Sequence, residues 1–208
     1  MLTTSGLLKM AFPKRTWSVQ TDKKEIFLTF DDGPTPEITE WTLDLLKKHK
    51  AKATFFCLGK NVNQHPEIFK RCIDEGHSIG NHLYAHENGW KTSTTDYINS
   101  VKKTGRIFSE YNIKTRLLRP PYGKISQKQA IQLADEHYKL IMWNVLSKDY
   151  DTKTSPEKCL KNSIKNLQKG SIVVFHDSVK ASTNMQFALP RLLEKFSKEG
   201  FKFEALQH

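Results

Sequence analysis

Short apolar, β-rich runs alternate with helix-like segments along the whole chain, and that alternation limits the fold more than any other feature of the sequence. The runs fall at residues 26–30, 53–57, 78–80, 116–118, 139–143, 171–175 and 201–205. Between them, apolar residues recur at three-to-four spacing. Ile38, Trp41, Thr42, Leu45 and Leu46 do so behind Thr35-Pro36, which reads as an N-cap followed by Pro at the first helical position. Pro66-Glu67 opens a second helix that Gly76 closes, and Tyr97, Val101, Thr104 and Phe108 line a third. Ser126-x-x-Gln129 is a capping box ahead of Ala130, Leu133 and Ala134. Ser155-Pro156 starts a helix expected to run to Gly170, and Met185, Leu189, Leu192, Leu193 and Phe196 form the last, closed by Gly200. Seven strands alternating with about six helices predict parallel βα units, in a closed barrel or a doubly wound sheet.

The 208 residues are one domain's worth of chain and enough for a sizeable core. With 38% hydrophobic residues, including 12 Phe, the composition excludes disorder and collagen- or mucin-like repeats. No apolar run approaches the roughly 20 residues of a membrane helix. The net charge of +11 suits a polyanion: nucleic acid, an anionic cell-wall polymer or a phospholipid face. No nucleic-acid motif is present, and Lys47, Lys48, Lys102, Lys103, Lys161 and Lys165 lie on polar helix faces, which favours a solvated surface. Cys57, Cys72 and Cys159 are odd in number, lack C-x-x-C spacing and sit in apolar patterns, as buried thiols do. Residues 1–15 have no signal-peptide layout, since Lys9, Lys14 and Arg15 follow the short apolar patch at Leu7-Leu8. The expectation is a cytoplasmic monomer, with cell-envelope association left open.

The residues just past each strand carry the chemistry. Asp31-Asp32-Gly33-Pro34 comes after the first, Asn81, His82 and His86 after the third, and Arg119-Pro120-Pro121-Tyr122-Gly123 after the fourth; Asp149 and His176-Asp177 come after the fifth and sixth. In parallel βα architectures strand C-termini converge on one face, where active sites sit. His82 and His86, four apart, share a face if their segment is helical. With Asp32 they make an N,N,O set that leaves coordination positions open, as in catalytic zinc sites, although ligand type alone does not settle the ion. Asp31 and Asp32 can instead be turn or cap residues. If extended geometry persists they point to opposite sides, so one can ligate while the other accepts a proton. Arg119 before a stiff Pro-Pro turn is either a surface arginine or the partner that keeps Asp31 ionised. His176 is either a satisfied core residue or a general acid tuned by Asp149. Trp90 and Tyr122 suit either packing or stacking on a sugar ring.

Thr29-Phe30-Asp31-Asp32-Gly33-Pro34, His82-x3-His86, Arg119-Pro120-Pro121-Tyr122-Gly123, Asp149-Tyr150 and Val174-Phe175-His176 together resemble, in order, the five motifs of the NodB-homology polysaccharide deacetylases, carbohydrate esterase family 4. Thr54-Phe55-Phe56 and the segment Gly76-His77-Ser78-Ile79-Gly80-Asn81-His82 resemble the intervening stretches, so the likeness spans residues 26–205. The resemblance implies an α/β, single-domain, distorted (β/α)7 barrel over residues 25–208, with residues 1–24 as an extension packing on it. It implies a metal-dependent hydrolase acting on an acetylated amino-sugar polymer or oligosaccharide, peptidoglycan or chitooligosaccharide first and O-acetyl xylan after. The carry-over makes Asp31 the base, His176 the acid, and Asp32, His82 and His86 the ligands of one divalent ion: Zn2+ first, then Co2+, Ni2+ or Mn2+. Arg119 orients Asp31, Asp149 tunes His176, and Tyr122, Pro121, Trp90 and Tyr150 serve the oxyanion and substrate. Two departures stand in the fourth motif: Leu146 replaces its first aspartate and Tyr150 its tryptophan. The rivals are a hydrolase of a non-sugar amide, a non-catalytic module binding an anionic polymer, and a nucleic-acid binder supported by charge alone.

Overall fold

The computed structural model describes residues 10–207. Eight parallel strands form one sheet: β1 (Glu25–Asp31), β2 (Ala53–Cys57), β3 (Ser78–Asn81), β4 (Leu117–Leu118), β5 (Lys139–Leu140), β6 (Val145–Leu146), β7 (Ser171–His176) and β8 (Lys202–Phe203). Their order is β5-β4-β3-β2-β1-β7-β6, with β8 beside β1. Helices α1 (Ile38–Lys48), α2 (Gly59–Gln64), α3 (Pro66–Asp74), α4 (Thr94–Ser109), α5 (Gln127–Asp135), α6 (Pro156–Ile164) and α7 (Ser182–Lys198) connect them. The architecture is the expected single-domain α/β fold with a curled parallel sheet, a barrel left open where no ladder joins β5 to β6 among the described residues.

Alternation along the strands sorts side chains into two layers. Ile26, Leu28 and Phe30 of β1 pack with Phe55, Val173 and Phe175 under the helices, where Phe30 stacks on Phe55 with ring centroids 5.1 Å apart. The opposite faces supply Phe27, Phe56, Leu117, Ile141 and Ile172 to a cluster inside the curl. Each such buried side chain contributes about 1.5–3 kcal/mol. Thr29 and Asp31 share the interior face with Phe27, so the inner layer turns polar toward the strands' C-terminal ends. The register pairs Asp31 with His176 across β1 and β7.

Three local expectations are corrected. The run at 139–143 keeps only Lys139–Leu140 in the main ladder, because Met142 N–H donates to Thr16 O at 2.7 Å and Thr16 bridges Ile141. The chain then rejoins the sheet as β6 against β7. Helix α6 stops at Ile164, six residues short of Gly170. Gly170 serves another purpose: at φ 74 a Cβ there would stand 1.9 Å from Val19 O, so glycine lets the N-terminal segment lie against this turn. Helix α1 begins after Glu37, whose N–H donates to Glu40 Oε2 at 2.8 Å, and not at Thr35-Pro36. The capping box expected at Ser126 and the helix start expected at Ser155-Pro156 are present, with Ser155 as N-cap. All three cysteines are buried free thiols.

Candidate active site and metal centre

Strand β1 ends at Asp31, and Asp32 takes φ 85, so a left-handed residue, and not continued pleating, aims the two carboxylates apart. Asp31 is buried. Oδ1 accepts from Arg119 Nη1 at 2.7 Å. Arg119 is fully buried, contrary to a surface reading, and spends its other donors on Thr29 Oγ1 at 2.6 Å, Met142 O at 3.0 Å and Ile141 O at 3.3 Å. Its guanidinium also lies 4.2 Å from the Phe56 ring centroid. Burial alone drives the Asp31 carboxyl upward, but Arg119, with His82 and His176, outweighs it and leaves the group below the usual carboxylate range.

His82 and His86 do not share a helix. They follow β3 in a loop where Leu83 and His86 both have positive φ, 67 and 61. Asn81 holds that loop, its Oδ1 accepting from Leu83 N–H at 2.8 Å and its Nδ2 donating to Val101 O at 2.9 Å. The folded-back loop brings His82 Nε2 to 3.7 Å and His86 Nε2 to 3.3 Å from Asp32 Oδ1. His82 Nδ1 donates to Arg119 O at 2.7 Å, which leaves the Nε2 lone pair free to ligate. Burial keeps the His82 imidazole below its ordinary pKa, hence neutral, as a ligand nitrogen must be.

Asp32 Oδ1 is buried with no hydrogen-bond partner, and the three potential ligand atoms lie within 4.8 Å of one another. A buried carboxylate oxygen facing two imidazole nitrogens is costly unless a cation satisfies it. The donor set fits one divalent ion with open coordination positions.

Opposite, His176 Nδ1 donates to Asp149 Oδ1 at 2.8 Å, while the same carboxylate's Oδ2 accepts the His176 backbone N–H at 2.7 Å. Burial would lower the imidazole pKa, but the Asp149 carboxylate more than reverses this and lifts it to about 9. Asp149 is itself held by Tyr150 N–H at 3.0 Å.

These groups meet in a cavity of about 600 Å³ lined by Asp31, Asp32, His82, His86 and His176. Tyr122 and Tyr150 flank it, with ring centroids 4.5 Å from His86 and 4.9 Å from His176 respectively. Leu146 and Val174 also line it, so both fourth-motif departures, Leu146 and Tyr150, fall on the cavity lining. Arg119 and Asp149 stand behind the lining. Pro121 is buried at the start of a 3-10 turn while Pro120 reaches the cavity, and Trp90 lines the neighbouring cavity instead.

Two residues without an assigned role in the sequence reading shape the site. Asn61, on the short and polar α2 that shows no readable periodicity, donates to Asp32 O at 2.8 Å. Asp177 accepts from Gly33 N–H at 3.1 Å and Thr39 Oγ1–H at 2.5 Å, fastening the loop after β1 to the end of β7. Burial pushes its carboxyl up to about 8. The nearest sequence signal was its place directly after His176.

This geometry can activate water beside a carbonyl, accept one proton and deliver another. Residues 18–140 match the family model for polysaccharide deacetylase. A peptidoglycan-N-acetylglucosamine deacetylase of Bacillus cereus is 35% identical over 190 residues, covering 89% of this chain and 68% of the relative. The corresponding enzyme PgdA of Listeria monocytogenes is 34% identical, covering 86% of this chain and 37% of its own length. Among solved structures, a peptidoglycan N-acetylglucosamine deacetylase superposes with TM-score 0.88 at 33% identity, covering 93% of this chain and 91% of that one. PdaC from Bacillus subtilis gives TM-score 0.80 at 29% identity and 90% coverage of each chain. A family pseudoenzyme from Bacillus anthracis also superposes, with TM-score 0.80 at 28% identity, covering 91% of this chain and 66% of that one, so the fold by itself does not carry the activity. Because the matched segment spans more than half the sequence and the B. cereus relative is aligned across most of it, the chain belongs to the polysaccharide deacetylase family, carbohydrate esterase family 4.

Proposed function

We propose that the protein removes N-acetyl groups from N-acetylglucosamine-containing polysaccharide, with peptidoglycan ahead of chitooligosaccharide, and that Asp32, His82 and His86 hold Zn2+ for this reaction. The observation that carries this reading is the register: Asp31 and His176 are direct neighbours across β1 and β7, one held by Arg119 and the other by Asp149, beside the Asp/His/His cluster. The relatives named as peptidoglycan deacetylases support the substrate class.

A bound divalent ion supplies Lewis-acid polarisation of the acetyl carbonyl and makes water more acidic. Asp31, kept ionised by Arg119, accepts the proton of the attacking water. The Tyr122 backbone N–H, presented from a residue with φ 59, donates to the oxygen of the tetrahedral centre. His176, protonated at neutral pH and with Nδ1 engaged by Asp149, delivers its Nε2 proton to the departing amine.

The test is acetate release from peptidoglycan, chitooligosaccharides and acetylxylan, with metal-stripped and zinc-reloaded protein side by side. Zinc-dependent release from an N-acetylated polymer is the expected result. Release from acetylxylan alone, or no release with zinc bound at one equivalent, would move the substrate to an O-acetyl ester or to a non-sugar amide.

A further inference from the structure

The ligand cluster is assembled from two loops, Asp32 from the one after β1 and His82 and His86 from the one after β3, and a single segment of chain ties both loops to itself. Residues 57–61 run from the end of β2 into the first turn of α2. Cys57 O accepts from His82 N–H at 3.0 Å. Leu58 N–H donates to Gly33 O at 3.0 Å, Gly59 N–H to Leu83 O at 2.9 Å, and Lys60 N–H to Tyr84 O at 2.9 Å. Asn61 completes the series, its Nδ2 donating to Asp32 O at 2.8 Å.

The first N–H groups of a helix have no partner within it and must find one elsewhere. Leu58 offers no side-chain cap, so these donors go to main-chain carbonyls beside the ligands. Gly33 follows Asp32 in the chain, and Leu83 and Tyr84 lie between the two histidines. Gly59 permits the close approach: a Cβ there would stand 2.5 Å from Thr104 Oγ1 on α4 and 3.0 Å from Tyr84 Cδ2. Both loops need such support. Asp32, Leu83 and His86 hold left-handed φ of 85, 67 and 61, which non-glycine residues keep when their surroundings fix them.

We infer that residues 57–61 are a clamp that sets the separation of Asp32 from His82 and His86, with Asn61 as a positioning residue for the metal. The Asn61 side chain does not line the catalytic cavity, so it acts through the backbone of Asp32 and not on substrate. This rests on the metal-dependent reading above and names residues outside the ligand set that determine how tightly the ion is held.

The test compares Asn61→Ala, Asn61→Leu and Val62→Ala with the wild type. Leucine is close to asparagine in size but has no donor. Val62 is fully buried on the same helix and bonds to neither loop, so its truncation loosens packing alone. Zinc Kd is measured by competition with a chelator, ligand geometry by the visible absorption of cobalt-loaded protein, and acetate release at limiting and saturating zinc. Both Asn61 variants should bind zinc about 10-fold more weakly and alter the cobalt bands, as expected for loss of a group that orients a ligand. Their activity should fall at limiting zinc and return at saturating zinc, which loss of a substrate contact would not allow. Val62→Ala should lower the Tm of the metal-free protein and leave zinc Kd near that of the wild type.

Unchanged zinc Kd and cobalt spectrum in Asn61→Ala, full affinity retained in Asn61→Leu, or an equal loss of affinity in Val62→Ala would overturn the inference. Weaker zinc binding in the Asn61 variants, with no acetate released even by the wild type, would retain the clamp and defeat the deacetylase reading alone. A wild type that binds no zinc would remove the metal assignment and the clamp together.

Discussion

The guanidinium of Arg119 and the carboxylate of Asp31 meet at 2.7 Å with both side chains buried. The same residue's carbonyl accepts from His82 Nδ1 at 2.7 Å. One residue after β4 therefore sets the rotamer of the proposed base through its side chain and that of a proposed metal ligand through its backbone. The two halves of the site cannot shift independently unless that residue moves.

Removing this guanidinium separates the two functions. Arg119→Ala leaves the Asp31 charge buried and unpaired, at a cost of about 3–5 kcal/mol in stability. Arg119→Lys retains a charge but cannot cover Thr29, Asp31, Ile141 and Met142 together, since an ammonium lacks the planar fork. In the lysine variant kcat should fall by about 10²-fold with zinc still bound. The Asp31 pKa, freed to follow burial, should rise and carry the acid limb of the pH–rate profile upward. An unmoved acid limb would remove Arg119 from the tuning of Asp31.

The His176–Asp149 pair predicts pH dependence on the alkaline side. The folded-state pKa of about 9 lies above the ordinary 6.5, so the folded protein holds this proton more tightly than the unfolded chain. That contribution, on the order of 3 kcal/mol, is fully present below about pH 6.5 and is lost as pH rises through about 9. Asp149→Asn should bring the His176 titration, followed by NMR in metal-stripped protein, down toward or below 6.5. Its stability deficit in urea should be large at pH 6 and shrink by pH 10. A deficit that stays constant with pH would mean the pair is not the source.

Much of the site was legible because the polar residues come directly after buried runs: Asp31 after the stretch Ile26–Phe30, which packs on both faces, and His176 after Val173-Val174-Phe175. Parallel topology does the rest by bringing strand ends together. What stayed hidden depends on backbone shape and long-range burial. Leu83 and His86 adopt left-handed φ without being glycine, so nothing in their identity marks the turn that brings the two histidines together without a helix. Arg119 gives no local hint that a charge would be enclosed, because its four acceptors come from β1 and the segment after β5. The pairing of Thr16 with the chain after Leu140 is likewise a contact between distant segments, invisible to any periodicity.

The ligand cluster makes a prediction about metal that does not depend on turnover. Asp32→Ala, His82→Ala and His86→Ala should each reduce bound zinc from about one equivalent to near zero, measured by elemental analysis after dialysis. Asp31→Asn should keep its zinc and lose about 10²- to 10⁴-fold in kcat. Zinc at about 1,000 times its Kd should stabilise the wild type by about 4 kcal/mol and the ligand variants not at all, read as a shift in Tm. Unchanged stoichiometry in all three alanine variants would defeat the ligand assignment.

Gly33 and Asp177 test whether the loop carrying Asp32 is held from β7. A Cβ on Gly33 would stand 2.0 Å from Asp177 Oδ2, so the carboxylate occupies the space a larger residue needs. Gly33→Ala should therefore cost about 1–3 kcal/mol through overpacking. Asp177→Ala should cost a similar amount, because Gly33 N–H and the Thr39 hydroxyl lose their acceptor. Together the changes relieve the clash, and the double variant should be more stable than the sum of the singles by about 0.5–3 kcal/mol. Both singles should also weaken zinc binding, since Asp32 is the residue before Gly33 and moves with it. Additivity within about 0.5 kcal/mol in urea denaturation, with zinc affinity unchanged in both singles, would show that Asp177 does not position the metal-binding carboxylate.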